Sequence, residues 1–495
     1  MVEAVGGARQ GAGGGAAMTN PTLPLIGLSD DERQILTMLR SDLLSQRFKL
    51  ELFDAYFNGE QLVRDLGISI PPQLKGLHTV IGWPRIGVEA LEQRLDLEAF
   101  RWADGSDSSD LDEIVEANDW LDEASLAHLD ALTYGREYVV AGSSDGGDAP
   151  PLVTFESPLD MTLDWDARRR EPRSALRECQ ADRLDYGLAP DDRLVTLYLP
   201  DQTIQAVEVD GGWEVIDRDE HKLGRVLALR MANRQRTADR VGKSEITPEV
   251  MSITDAACRR LMGMEVAAEF FGAPQRYILG ASESAFQDAE GNAKSAWETY
   301  IGRVLALERD EDGAVPTVGQ FTAHDPSGQT KIIDLYARIM ATQLGLPPHM
   351  LGYTSDNPAS ADAIRSSEGM LVKKAERRIR RFGATHREAM RLALWVRDGT
   401  PPDKSRRIEA VWRNPATPTL AAQTDAAVKM VQAGLLPADS DVALEMAGLT
   451  EDQRQRVSAE RRRAQGRQLL ASLTAAGGDV QPAADPEAGG GDEGL

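Results

Sequence analysis

Cysteine is scarce in this sequence of 495 residues. Only Cys179 and Cys258 occur, and they lie far apart along the chain. Disulfide-stabilised domains and cysteine-rich metal sites need several cysteines at characteristic spacings, so neither is expected. The simplest interpretation is a protein of a reducing compartment that holds no metal ion and needs no cofactor.

Long apolar runs are also absent. A helix that crosses a bilayer needs about 20 apolar residues, and the most apolar stretch, residues 261–271, is interrupted by Glu265 and Glu269. We therefore expect no membrane-spanning segment and no membrane partner. Residues 1–17 are rich in glycine and alanine and lack the apolar core of a signal peptide, and Met18 is an alternative start.

Basic residues are outnumbered by acidic ones. The chain has 55 lysines and arginines against 79 aspartates and glutamates, a formal net charge of -24. An acidic surface repels DNA phosphates, which argues against a tight DNA binder that works by releasing counterions. The charge suits a soluble protein, or a surface past which DNA slides without adhering. Solubility alone is the simpler explanation.

The sequence contains no complete nucleotide-binding motif. Gly242, Lys243 and Ser244 match the end of a phosphate-binding loop, but residue 237 is threonine instead of the required glycine, and no apolar strand precedes the segment. An ATPase is therefore disfavoured.

Metal-binding and nucleophile motifs are missing as well. Asp164 and Asp166 are too few for a metal site and suit a strand edge or a turn, and residues 310–313 suit a hairpin. None of the six histidines has a partner at ligand spacing, and His386 falls on an apolar helix face, where a packed histidine is the better interpretation. No Gly-x-Ser-x-Gly elbow occurs. We expect no catalytic residue and no enzymatic activity.

The patterns that are present predict a helix-rich α+β chain of roughly three folded units. A helix over residues 29–57 begins with Ser29 and Glu32 at the spacing of a capping box. An acid-rich helix is predicted over residues 109–133. Strands follow, ending in a meander, at residues 137–141, 152–155, 193–199, 203–209, 213–216 and 225–229.

The second half is mainly helical. Thr247 and Pro248 are typical of a helix start, and a helix of residues 248–271 would be about 36 Å long. Further helices are predicted at residues 327–344, 361–397, 419–433 and 439–447, with a strand at 407–412 and a charged stretch at 451–467. The helix of residues 361–397, about 55 Å long, exceeds what a small domain needs.

The long helix has one basic face. At 100° per residue its apolar residues form a single stripe, and cations occupy the remaining arc. These cations contact DNA, or they pair with acidic residues of the same or a neighbouring subunit; the net charge makes pairing at least as plausible. The residues are Lys373, Lys374, Arg377, Arg380, Arg381, Arg387 and Arg391.

Several strings, in this order, resemble the portal (head-to-tail connector) family of tailed bacteriophages. Residues 23–32 (Leu-Pro-Leu-Ile-Gly-Leu-Ser-Asp-Asp-Glu) are similar to the opening of its actinobacterial-phage branch. Residues 116–121 (Glu-Ala-Asn-Asp-Trp-Leu) are similar to a recurrent family segment. The most specific string is 345–352 (Gly-Leu-Pro-Pro-His-Met-Leu-Gly), followed by a loop and a long helix. The resemblance covers residues 23–467.

The resemblance implies a portal fold with wing, stem, clip and crown regions. Between a disordered N-terminal extension and a disordered tail it implies a wing, two stem helices that flank a clip, a tunnel loop, a long helix with a return strand to the wing, and crown helices. In that order the regions are 1–22 (extension), 23–246 (wing), 247–273 (stem), 274–326 (clip), 327–345 (stem), 346–360 (tunnel loop), 361–415 (long helix and strand), 416–470 (crown) and 471–495 (tail).

The resemblance also implies a function. Family members form a twelve-subunit ring at one capsid vertex, through which double-stranded DNA is packaged and ejected. Its partners would be further copies of itself, DNA held transiently and without sequence preference, the terminase large subunit, the head-to-tail adaptor, and the major capsid and scaffolding proteins. It would be assembled in the host cytoplasm and reside in the virion.

The implied tunnel loop would face the DNA. Its only charged residue is an aspartate, so steric contact by Tyr353 or hydrogen bonding by Asn357 is more plausible there than phosphate clamping. The residues assigned to it are Gly352, Tyr353, Thr354, Ser355, Asp356 and Asn357.

Two other functions compete with a DNA channel. One is a phage DNA-processing enzyme, such as a nuclease or nucleotide hydrolase, which the missing motifs disfavour. The other is a capsid or adaptor protein that lines no channel, which the order of helix, insert, helix and loop disfavours.

Overall fold

The structure of the chain is a computed structural model. Its described residues form eleven helical segments, one of them a 3₁₀ turn, and four antiparallel sheets. The structure describes residues 26–61, 79–144, 149–180, 193–209, 212–271, 276–279, 317–320, 325, 327–352, 361–403, 406–416 and 420–477. The predicted turn at residues 310–313 lies outside these ranges.

Helices form most of the described chain, in agreement with the predicted helix-rich α+β class. They are α1 (Asp30–Asn58), α2 (Trp83–Glu92), α3 (Ser109–Ala117), α4 (Trp120–Tyr134), α5 (Pro248–Phe271), α6 (Ser327–Leu344), the 3₁₀ turn Pro348–Leu351, α7 (Ala361–Asp398), α8 (Leu420–Gln432), α9 (Asp441–Met446) and α10 (Glu451–Gly477).

The strands are short and pair antiparallel. They are β1 (Ile26–Gly27), β2 (Leu97–Trp102), β3 (Arg136–Gly142), β4 (Leu152–Glu156), β5 (Met161–Asp166), β6 (Glu171–Gln180), β7 (Arg193–Tyr198), β8 (Thr203–Val209), β9 (Gly212–Asp219), β10 (Ala228–Ala232), β11 (Arg276–Leu279), β12 (Thr317–Gln320) and β13 (Ile408–Trp412). The largest sheet has the order β1-β9-β8-β7-β6-β5, and smaller sheets are β10-β3-β4, β13-β2 and β11-β12.

The predicted start of α1 is confirmed. The Ser29 amide donates to Glu32 Oε2 at 2.9 Å, and the Glu32 amide donates to Ser29 Oγ at 3.3 Å, which completes the capping box. Arg218 NH1 also lies 2.7 Å from Glu32 Oε1. These contacts lower the pKa of the Glu32 carboxyl to about 2, chiefly through the hydrogen bond from Arg218. The cap therefore also holds α1 against β9.

The single helix predicted over residues 109–133 is wrong, because the structure has two helices there. Asp119 between them adopts a left-handed φ of 44°. Asn118 Nδ2 donates to the carbonyls of Ile114 and Pro151, each at 2.9 Å, and its Oδ1 accepts from the Val153 amide at 2.7 Å. Asn118 at the bend thus links α3 to β4 by hydrogen bonds, and the bend places fully buried Trp120 in the core.

Other boundaries also differ from the predictions. The strand predicted at residues 225–229 is β10, which is not part of the meander. It pairs with β3 in another sheet, and its Met231 and Ala232 are buried there. Helix α10 continues to Gly477, beyond the predicted tail boundary at 470. The elements that were not predicted are α2, β1, β2, β5, β6, β11 and β12. Asp166, at the end of β5, accepts from the amides of Arg168 and Arg169, which confirms its turn role.

The long helix α7 joins two cores. Its first half contributes Leu371, Ala375 and Phe382 to a cluster shared with α1, α2, α4, α5 and α6. Its second half contributes Ala389, Met390 and nearby residues to a cluster beneath β2, β3 and β13. The apolar face of α7 therefore links the two clusters.

Candidate functional site

Two helix ends and the middle of a third helix meet at one junction. Helix α5 begins at Pro248, α6 ends at Leu344, and α7 passes both. Lys374 Nζ donates to the Leu344 carbonyl at 2.7 Å, and Gly345 follows with a left-handed φ of 69°. A cation at a helix C-terminus offsets the partial negative charge of the free carbonyls. The predicted stop of α6 at Gly345 is confirmed, and α7 caps it.

A buried carboxylate organises this junction. The Glu245 side chain is 4% exposed, and its oxygens lie 3.1 Å from Lys374 Nζ and 2.5 Å from Arg378 NH2. Asn233 Nδ2 also donates to it, at 3.1 Å. Burial alone would raise the pKa of Glu245, but the charges of Lys374 and Arg378 outweigh burial and lower the pKa to about 2. The carboxylate therefore stays ionised inside the protein.

A polar cavity of about 590 Å³ opens beside Glu245. Arg377 and Arg381, both exposed, lie on its rim, and Arg381 NH2 donates to Gln235 Oε1. Its lining residues are Arg234, Gln235, Glu245, Thr247, Glu249, Gln343, Lys374, Arg377, Arg378 and Arg381. Five cations face two carboxylates, so this recess is positive within an acidic chain.

The cations of the predicted basic face have different surroundings. Lys373 pairs with Glu376 at 2.7 Å, and Lys374 pairs with Glu245. Arg391 NH2 lies 3.4 Å from the Pro402 carbonyl oxygen, and half-buried Arg387 lies near Trp412. For Lys373 and Lys374 the structure gives pairing partners within the same subunit. The roles of exposed Arg377, Arg380 and Arg381 stay predictions.

Sequence reasoning missed Arg378. It lies close to the apolar stripe of α7 and its side chain is only 11% exposed. A cation on a buried helix face needs a nearby anion, since an unpaired buried charge is very costly. An arginine beside the apolar stripe was therefore a signal that a buried anion is needed, and the structure identifies that anion as Glu245.

Only the first residue of the predicted tunnel loop is described. Gly352 ends the 3₁₀ turn with a left-handed φ of 81°, and its amide donates to the His349 carbonyl at 3.2 Å. Tyr353, Thr354, Ser355, Asp356 and Asn357 lie outside the described residues. Their assignment to a DNA-facing loop stays a prediction.

His386 is a packed core histidine, as predicted. Trp120 Nε1 donates to His386 Nδ1 at 3.2 Å, so the proton of neutral His386 is on Nε2, which lies 2.8 Å from His128 Nε2. His128 then carries its own proton on Nδ1, next to the backbone of Leu95. Burial lowers the pKa of His128 to about 3 and that of His386 well below its usual range. Both rings are neutral and link α4 to α7.

Gly242 and Ser244 have structural roles. A Cβ added at Gly242 would lie 2.0 Å from the carbonyl oxygen of Gly135, so only glycine fits this close approach. Ser244 is buried, and its hydroxyl donates to the Thr133 carbonyl at 2.5 Å and accepts from the Ile246 amide at 2.8 Å. These contacts explain the partial phosphate-loop motif without a nucleotide.

The described residues hold neither a metal-binding cluster nor a helix that could span a membrane. No group of three or more histidine, cysteine, aspartate or glutamate side chains among them is arranged to hold a metal ion. In the same part of the chain, every helix is too short or too polar to span a bilayer.

Comparison with known proteins gives consistent matches. The family model described as phage portal protein, SPP1 Gp6-like, matches residues 39–467. The chain belongs to this phage portal family. The portal proteins of Mycobacterium phages D29 and L5 are each 36% identical to it over 386 residues, which is 76% of this chain and 77% of theirs. The resemblance to portal proteins is thereby confirmed, and this family is structural.

A solved structure is also similar to this portal-family chain. It is a chain from the neck of a native GTA particle computed with C12 symmetry. It has 14% sequence identity and a TM-score of 0.40, and the match covers 74% of this chain and 90% of that one.

Proposed function

We propose that copies of this chain form a ring, a dodecamer as the family resemblance implies, whose central channel passes double-stranded DNA during packaging and ejection. The observation that carries the proposal is the helix pair α5 and α6, which flanks the insert of residues 272–326 and packs beside the long helix α7. Such an arrangement suits a channel wall between two ends of an assembly better than a compact enzyme with one pocket.

The pair α5 and α6 is antiparallel. Gly263, late in α5, lies beside Gln329 at the start of α6: a Cβ added to the glycine would be 3.9 Å from Gln329 Oε1. Val250 and Ala257 of α5 share a core with Ala337 and Met340 of α6. The 24 residues of α5 span about 36 Å. We assign these two helices to the stem and the insert between them to the clip.

The other regions follow the family map. Residues 23–246 form the wing, α7 with β13 returns to it, and α8 to α10 form the crown. The loop that begins at Gly352 faces the DNA, and the exposed cations of α7 contact DNA or a neighbouring subunit. A net charge of -24 supports a channel that DNA traverses without being held.

We further propose that the ring performs no chemistry of its own. The terminase large subunit, a separate motor, would dock first and be replaced by the head-to-tail adaptor, while the major capsid and scaffolding proteins surround the ring. Assembly in the host cytoplasm would place it at the unique capsid vertex of the virion. ATP turnover or metal-dependent DNA cleavage by the purified chain would contradict this part.

Electron microscopy of the purified full-length chain tests the ring directly. We expect rings with a central hole wide enough for duplex DNA, and class averages will count the subunits. Particles that remain monomeric at every concentration, with or without capsid and scaffolding proteins, would rule out the proposed channel.

A further inference from the structure

The cavity beside Glu245 holds more positive charge than its own carboxylates neutralise. Glu245 is already paired with Lys374 and Arg378. Arg381 donates to Gln235, a neutral side chain, and no ion pair joins Arg377 to another described residue. Arg377 and Arg381 therefore leave two exposed positive charges at the mouth of the recess. Such a recess attracts an anionic group from outside the subunit.

The shape of the cavity favours a protein carboxylate over DNA. Glu245 and Arg378 on its floor are 4% and 11% exposed, so only a projecting group reaches past the rim. Duplex DNA is stiff over about 150 base pairs, and its phosphates follow the surface of a rod. An aspartate or glutamate at a helix end projects far enough to enter.

Suitable carboxylates lie at the turn between α3 and α4, which packs against α7 through Trp120. The turn between α3 and α4 exposes four carboxylates that form no ion pair with any described residue, and we call them the acidic edge: Glu116, Asp119, Asp122 and Glu123. Trp120 within this edge donates to His386 of α7. At 100° per residue, Arg377 and Arg381 point about 180° and about 140° away from His386. The acidic edge thus lies on the His386 side of α7, and Arg377 and Arg381 point away from that side.

A ring needs two different, complementary patches on each subunit, because every subunit contacts one neighbour with each side. We propose that the cavity receives the acidic edge of a neighbouring copy, with Arg377 and Arg381 as its principal contacts. This inference rests on the proposed ring and names the partner of these two arginines as a second copy of this chain.

A charge exchange between two full-length variants tests the proposal. The cavity variant carries Arg377→Glu and Arg381→Glu. The edge variant carries Glu116→Lys, Asp122→Lys and Glu123→Lys, which replace three of the four carboxylates and make the edge positive. In a ring made of either variant alone, like charges meet at every contact. The protein concentration needed for ring formation should therefore rise by about tenfold or more. An equimolar mixture should restore rings at the wild-type concentration, since alternating subunits then meet with opposite charges throughout. Ring populations are measured by electron microscopy and light scattering.

The matched control reverses two exposed arginines of α10, Arg462→Glu and Arg463→Glu. It should assemble as the wild type does, and all variants should keep the wild-type unfolding midpoint as monomers. Normal rings from the cavity variant alone, or no rescue on mixing, would overturn the proposal. Normal rings that lose DNA retention would assign the arginines to DNA instead. Absence of rings from the wild-type chain would contradict the proposed function itself.

Discussion

Two buried glutamates of this chain have pKa values shifted in opposite directions. Glu137 on β3 and Glu245 near α5 are 2% and 4% exposed. Burial followed by the charges of Asp130 and Glu156 raises the pKa of Glu137 well above its usual range, whereas Lys374 and Arg378 reverse the effect of burial at Glu245. The neighbours of a carboxyl, and not its depth, decide whether it is charged in the folded state.

Glu245→Gln should produce the largest loss. It leaves Arg378 (11% exposed) and half-buried Lys374 without their anion, which costs about 3–5 kcal/mol of unfolding free energy. The measurement is chemical denaturation of the isolated chain at neutral pH. The control is Glu51→Gln, which removes an exposed pair with Arg47 at 3.0 Å and should cost less than about 1 kcal/mol. Equal effects of both substitutions would refute the role of Glu245.

His386→Phe removes the neutral buried imidazole that bonds to Trp120 and His128. The indole N–H of Trp120 and Nε2 of His128 both lose their partner, and about 1–3 kcal/mol should be lost. Denaturation midpoints measure the change, and His349→Gln on the exposed turn is the control. If His386→Phe lost more unfolding free energy than Glu245→Gln, the argument that a buried charge without its partner costs more than a buried neutral group without its partner would be refuted.

Acidification should weaken the histidine site and leave the Glu245 site intact until lower pH. The pKa of His128 is about 3 in the folded chain and near 6.5 when unfolded, so the unfolded state binds the proton first. Stability is therefore full above pH 6.5 and falls towards pH 3, by about 1.4 kcal/mol per pH unit for this histidine. Glu245 loses its contribution only as pH falls from 4.5 towards 2. His386 also has a lowered pKa, and His386→Phe removes its share of this loss, so melting curves of wild type and variant between pH 7.5 and 4.5 should differ less as pH falls.

Glu137→Gln should have the smallest effect and the opposite sign. Because the folded pKa is raised, the wild type is stabilised at low pH and loses that contribution as pH rises from 4.5 through the folded pKa. The amide removes this loss, so the melting temperature at pH 8 should rise slightly above wild type, and the two chains should converge near pH 5. A marked fall at pH 8 would mean that Glu137 is ionised and paired.

Helix positions were predictable because their signals are local. The capping box of Ser29 and Glu32, the proline at the start of α5 and the glycine after α6 act within one turn of chain, and all three recur in the structure. The bend at Asp119 could not be predicted, because it depends on Asn118 bonding to Pro151 and Val153. Those partners are distant in sequence and become neighbours only in the folded chain.

The candidate site was predicted in part. The cations of α7 follow from helical spacing alone, and Arg377 and Arg381 are exposed as that spacing requires. Spacing could not reveal that Lys374 binds Glu245 and the end of α6, or that Arg378 belongs to the same site. A helix pattern states which residues share a face but not what that face meets.

The amino-acid sequence by itself determined the helix-rich class, the helix–insert–helix order, the basic face and the resemblance to the portal family. Tertiary structure alone decided which cations are neutralised, which carboxyls stay charged, and that Trp120 of the acidic edge contacts His386 of α7. The reason is physical: hydrogen bonding and hydrophobic periodicity act between near neighbours in sequence, whereas electrostatic energy depends on distances and burial that exist only after folding.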